Sequence, residues 1–405
     1  MNSYYKNKNK NKDTRAQIAW QSIYPIQSTD IYNFLKIDKD DLIISIFAFT
    51  TTILTWIAFK YYSRSFSNIF LFWDSSDPVI YLKITSEKGK GDIISENYNG
   101  RSYKDVLNPL PVQRLILWIL HIFTFGQYQL AQLLYTLIFS ILSSLIFKRF
   151  LIAYKIAKIP LYSTLLFCLF PVRFAFYRNI PTYDTLFLSL ILLSFIFYRY
   201  DFHFSLIAVV TLATFTKFEG FILFIVYLIL YALRTDVNSI ISIGVATFIV
   251  FLIINIRYPN YSKFIIPMSE LRNCRINDSF EMKPFFYYFN LRRSISNLRA
   301  IHALEMIYFP CIFGSCILLF ESLPLSFFCF AYTIFLSFIQ SSDIHRFAIP
   351  VHVISILAGL DFFLSTPAIK FAITCLSPFF FLGELYYCGN QISSRSLSYG
   401  VWSKL

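Results

Sequence analysis

The chain has 405 residues, 56% of them hydrophobic and 15% charged, with a formal net charge of +13. A mean hydropathy of +0.56 is too high for a soluble protein of this length to hide its apolar surface in one core, so the surplus must face lipid. That excludes an ordinary soluble enzyme.

The first 41 residues carry Lys6, Lys8, Lys10, Lys12 and Arg15 in an Asn-rich tract with no apolar core and no small-residue cleavage site. This reads as a solvated basic tail rather than a signal peptide. A spanning helix needs roughly 20 mostly apolar residues. The clearest runs are 42–59, 128–147, 184–200, 218–233, 239–256, 303–320, 323–339, 347–364 and 369–386, with weaker ones at 161–177 and 204–215. The expected fold class is all-α, a polytopic transmembrane helical protein with about eleven spans, because lipid-exposed backbone must satisfy its own hydrogen bonds. The transmembrane unit would cover 42–388 and leave a tail at 389–405. A β-barrel is excluded by the continuous runs, since barrel strands alternate.

By the positive-inside rule the basic tail stays in the cytosol, which makes the loop at about 60–127 lumenal. The stretch 107–125 contains Pro109, Pro111, Arg114 and His121. An amphipathic helix on the lumenal surface suits it better than a span, and this choice keeps Lys148, Arg149, Lys155 and Lys158 in the cytosol. A second lumenal loop follows at 257–302. The seven cysteines contain no C-x-x-C pair, and the five histidines form no H-E-x-x-H. With no Walker loop and no G-x-G-x-x-G, neither a metal, nor a cofactor, nor a nucleotide-driven engine is expected.

Charges beside or inside apolar runs are expensive and so tend to mark function. Trp73-Asp74 ends the run Phe70-Leu71-Phe72, which puts a carboxylate at the lumenal membrane edge, where partial desolvation favours general-base chemistry; an Asp capping a short helix at Pro78 explains the pattern equally well. Arg173, Arg178, Tyr183 and Asp184 flank a proline-broken segment, and snorkelling cations would explain them equally well. Lys217 and Glu219 lie between two apolar runs, where they either serve a site or neutralise each other. Arg346 follows Asp343-Ile344-His345 between two further runs, where an ordinary loop charge is the plain alternative. The cationic excess of loop 257–302 suits phosphate-bearing lipids.

The order of these features resembles the GT-C class of membrane glycosyltransferases, and within it the GPI mannosyltransferase 2 (PIG-V) family. The resemblance rests on Trp73-Asp74, on Pro109-Leu110-Pro111, on Phe167-Cys168-Leu169-Phe170-Pro171 and on Tyr183-Asp184-Thr185-Leu186-Phe187. Ala213-Thr214 through Lys217-Phe218-Glu219-Gly220 and the late Arg346-Phe347 extend it. Asp184, Lys217 and Glu219 stand where the family has Glu, Arg and Asn. His345-Arg346-Phe347 and Pro350 are also similar to the late motif of the GPI mannosyltransferase 3 family. What the resemblance implies is a GT-C-like fold in the endoplasmic reticulum membrane and transfer of the second mannose (alpha-1,6) from dolichyl phosphate mannose to a GPI precursor. The second family would add the third mannose (alpha-1,2) instead. Asp74 would be the catalytic base, and Trp73, Asp184, Lys217, Glu219 and Arg346 would bind substrate. Its partners would be the donor, the glycolipid acceptor, membrane lipids and a membrane subunit, not nucleic acid. A transporter or a non-catalytic subunit would share the many helices. A transporter, however, favours charges deep in mid-span and two similar halves, which this sequence lacks.

Overall fold

The structure is a computed structural model and describes residues 17, 19–26, 36–63, 111–170, 172–257, 279–280, 308–340 and 344–399. The helices in chain order are α1 (Lys39–Ser63), α2 (Pro111–Phe123), α3 (Tyr128–Tyr154), α4 (Pro160–Leu169), α5 (Val172–Arg178), α6 (Tyr183–Arg199), α7 (His203–Thr214), α8 (Phe221–Arg234), α9 (Val237–Arg257), α10 (Phe309–Leu318) and α11 (Leu323–Ser337). There follow the short α12 (Ile344–Phe347), α13 (Ile349–His352) and α14 (Asp361–Leu364), then the long α15 (Pro367–Tyr399). The described chain is helical apart from one two-residue antiparallel pairing, β1 (Ser279–Phe280) with β2 (Ile339–Gln340).

Three of these helices, α1, α3 and α9, are long and apolar enough to cross a membrane. Their outward faces explain why the chain is so hydrophobic. Only 17% of the apolar window of α9 is buried, and Ile241, Val245, Phe248 and Leu252 are exposed along it. Water would not tolerate such a continuous apolar face, whereas lipid would. The run at 161–177 is broken between α4 and α5, where Phe170-Pro171 stands in the sequence and proline supplies no helical N–H. The run at 347–364 is likewise divided, by a π-helical stretch at Val353–Ala358. α2 forms where an amphipathic helix was expected, with Gln113 and Leu117 buried against the bundle and Leu115, Trp118, Ile122 and Phe123 exposed.

Hydrogen bonds and ion pairs give the helix directions. Lys148 near the end of α3 binds Asp38 and Asp41 at the start of α1, at 2.6 and 2.9 Å, and Arg149 also pairs with Asp41. Midway along, the Thr52 and Ser140 hydroxyls meet at 2.8 Å, so α1 and α3 are antiparallel. Tyr135 Oη donates to the Thr182 carbonyl and Tyr154 Oη to that of Phe195, at 3.2 and 3.0 Å, so α6 runs parallel to α3. Ser194 on α6 meets Tyr227 on α8 at 2.8 Å. Asp361 accepts from the Lys158 backbone N–H at 2.9 Å and from the Ser163 hydroxyl, which returns the α12–α14 segment to the end where α4 begins. One end of the bundle therefore holds Asp38, Lys148, Lys158, Arg199, Arg234 and Asp361, and we call it the basal end. The starts of α3, α6 and α8 define the apical end.

The tail does not behave throughout as a solvated segment. Residues 19–26 dock on the basal end, with Ala19 and Ile23 buried.

Candidate functional site

Four of the charges singled out from the sequence converge at the apical end. Asp184 sits in the first turn of α6, and Lys217 and Glu219 lie at the 3-10 turn Phe218–Gly220 that opens α8. Arg346 belongs to α12. Arg346 Nε donates to Asp184 Oδ2 at 2.8 Å. Lys217 Nζ lies 3.6 Å from Asp184 Oδ1 and 3.2 Å from Glu219 Oε1. Two carboxylates and two cations thus form a charge-balanced chain. Low-dielectric surroundings strengthen each attraction, but they also make each charge costly without its partner.

Aromatic rings wall the cations. The Arg346 guanidinium lies 4.8 Å from the Tyr183 ring centre and 5.0 Å from that of Tyr177. Lys217 Nζ lies 4.5 Å from the Phe347 ring and 5.5 Å from that of Phe187. Ring faces attract cations, most strongly where water is excluded. The side chains of Asp184, Lys217 and Glu219 are 2%, 6% and 7% exposed, against 21% for Arg346. Arg346 is therefore the cation of this group that a ligand reaches most readily. The Tyr332 hydroxyl of α11 is buried without a hydrogen-bond partner among the described residues and within electrostatic range of Glu219 and Asp184. The sequence carried no signal for it, since one tyrosine in an apolar run looks like packing.

Backbone geometry delivers these groups. A Cβ on Gly220 would stand 2.6 Å from Thr214 Cα, so only glycine lets the turn bearing Lys217 and Glu219 fold this tightly against the end of α7. The approach to Asp184 is pinned by Gln113 of α2, which donates to the Pro181 carbonyl at 2.9 Å, and by Tyr135, which donates to Thr182.

Arg178 is not part of the cluster. It is fully buried, so it does not snorkel, and its guanidinium donates to Thr51 Oγ1 at 3.0 Å and to the Cys168 carbonyl at 2.8 Å. Asn179 beside it exchanges hydrogen bonds with Thr52 and Thr55, and its carbonyl accepts from the Trp56 indole. Together they fasten α1 to the segment that leads into Asp184. Trp73 and Asp74 lie outside the described residues. Comparison of the chain with protein-family models, with curated proteins and with solved structures finds no match.

Proposed function

We propose that this chain is a polytopic membrane glycosyltransferase of GT-C type. It transfers mannose from dolichyl phosphate mannose to a GPI precursor at the lumenal face of the endoplasmic reticulum. The observation that carries the reading is the Asp184–Arg346–Lys217–Glu219 cluster. Four residues chosen from the sequence as binding groups meet at the apical end, the same end at which α1 finishes and α2 begins.

The proposed topology has about eleven crossings, each able to satisfy its own backbone. They are α1, α3, α4 with α5, α6, α7, α8, α9, α10, α11, the α12–α14 segment and α15. The basal end, with Lys148, Arg149, Lys155, Lys158, Arg199 and Arg234, faces the cytosol under the positive-inside rule. The apical end is lumenal.

In the proposed reaction the acceptor hydroxyl oxygen attacks the anomeric carbon as the bond from that carbon to the phosphate oxygen breaks. Asp74 accepts the hydroxyl proton, and the bond's electron pair leaves with dolichyl phosphate, so the configuration inverts. Arg346 stabilises the departing phosphate as the more exposed cation. Lys217, set between two carboxylates, holds Asp184 and Glu219 in place and takes a smaller share of that charge than the sequence alone suggests. Analysis of the GPI intermediates that accumulate on depletion of the protein tests the reading. A species with one mannose supports transfer of the second, and one with two mannoses moves the assignment to the third. An unchanged GPI profile overturns the proposal.

A further inference from the structure

The basal end contains a second constructed feature that the proposed reaction does not use. Residues 19–26 lie across the ends of α6 and α8 and the start of α11, held through main-chain carbonyls and through the Ser22 and Ile23 side chains. Arg199 donates to the carbonyls of Gln21 and Tyr24 at 3.0 and 2.5 Å, and the Ile26 N–H returns a bond to the Arg199 carbonyl at 2.8 Å. Tyr198 Oη donates to the Ile23 carbonyl at 2.9 Å, and Arg234 Nε donates to the same oxygen. The Arg234 guanidinium is itself set by the Tyr198 ring, 4.0 Å away.

α11 depends on this segment for its cap. Its own N-cap residue, Ser322, makes no side-chain capping bond, and the Ser322 hydroxyl is buried without a partner among the described residues. The Leu323 N–H donates instead to Ser22 Oγ, at 3.1 Å. A helix begins with unsatisfied N–H groups, and here a residue 301 positions away accepts one of them. Ile23, 1% exposed, is the side chain that anchors the segment, while Trp20 and Tyr24 stay half exposed.

We propose that residues 19–26 are a strap, bound as a peptide ligand in a cleft formed by α6, α8 and α11, and that its seating is coupled to the apical charge cluster. The coupling follows from the helices it holds. α6 carries Asp184 in its first turn, α8 continues from Lys217 and Glu219, and α11 carries Tyr332. Release of the strap would uncap α11 and remove the strap carbonyls from Arg199, Arg234 and Tyr198 at one end of the same three helices, leaving Arg234 with Asp201, 3.3 Å away. Loss of that cap and of the buried Tyr198 bond favours rearrangement of these helix ends, so the strap is a conformational control on the face opposite the cluster.

The test uses the full chain in detergent micelles, with a site for a specific protease inserted between residues 28 and 35 and a fluorophore on the N-terminus. After cleavage the fragment bearing the strap stays bound to the wild-type bundle, and a synthetic peptide of residues 15–28 displaces it. Ser22→Ala and Ile23→Ala, both on the strap and not on the bundle, weaken retention by about tenfold or more, as expected for loss of a helix cap or of buried methyl groups. Immediate loss of the fragment from the wild type, or equal retention by both variants, overturns the strap. Displacement should also speed hydrogen exchange at the start of α6, residues 183–188. Unchanged exchange there overturns the coupling.

Discussion

Arg346 donates to Asp184 at 2.8 Å across 162 residues of sequence, and Asp184 is the residue on which the apical cluster turns. Within the cluster it is the carboxylate that contacts both cations. Replacing it with alanine would leave Lys217 opposed only by Glu219 and remove the carboxylate from Arg346 in a site nearly closed to water. The expected cost is about 3–5 kcal/mol, the range for breaking a buried pair from one side. Asp184→Ala should therefore unfold well below the wild type in a thermal melt in detergent. Arg346→Ala, removing the more exposed partner, should lose less. Equal, small losses for both would show that the cluster is not held by this carboxylate.

Gly220 and Gly244 should respond in opposite directions to alanine. A methyl group on Gly220 meets the Thr214 backbone, while one on Gly244 meets nothing within 4 Å. Overpacking against backbone costs about 1–3 kcal/mol, whereas Gly→Ala inside an open helical turn gains about 0.5–1 kcal/mol. Melting temperatures of the two variants check this, with Gly220→Ala falling and Gly244→Ala holding or rising.

Acid should loosen the basal clamp in a defined window. Partial desolvation pushes the Asp38 carboxyl up. The hydrogen bonds from Lys148 and from the Asp41 N–H, with the charges of Lys148 and Arg149, outweigh it and hold the group below its ordinary value of 3.8. A lowered folded-state value stabilises the protein above the unfolded one, and that stability is lost as pH falls through the folded value. The Asp38 contribution is thus intact at neutral pH and disappears only below about pH 4. Melts from pH 6 to pH 3 should show a steeper late loss in the wild type than in Lys148→Met, which lacks the main partner and starts less stable.

Sidedness is open to direct mapping. Glycosylation-site tags near Ser86 and near Asp278 should be modified, and one near Lys155 should not. Modification at Lys155 would reverse the proposed orientation.

Much of the helical order was legible because the apolar runs are long and bounded by charge. The structure puts Lys148 at the same end of the bundle as the start of α1, and its burial against Asp38 and Asp41 was not foreseen, since residues about 110 apart show no local pattern. Asp184 and Arg346 stood out singly as charges beside apolar runs, while mutual neutralisation of Lys217 and Glu219 was one of the two readings of that turn, and the two do pair at 3.2 Å. The pairing of Asp184 with Lys217 and Arg346 was hidden because an ion pair between helices leaves no spacing in the chain. Of the two readings left open for Arg178, its burial excludes snorkelling. Its bonds to the Cys168 carbonyl and to Thr51 leave no charge pattern in the sequence. The strap was missed because many of its bonds run through carbonyls, which every residue carries, and because its apolar residues follow a basic, Asn-rich stretch and form no run long enough to span.

The central claim is mannose transfer through Asp74 with charge relief by Arg346. The most direct measurement is transfer of labelled mannose from dolichyl phosphate mannose to a GPI precursor by membranes containing this protein. The wild type should transfer, with a loss of about 10²–10⁴-fold in Asp74→Asn and a loss of about 10²-fold or more in Arg346→Ala, each at normal abundance. No transfer by the wild type, or undiminished transfer by Asp74→Asn, would contradict the claim.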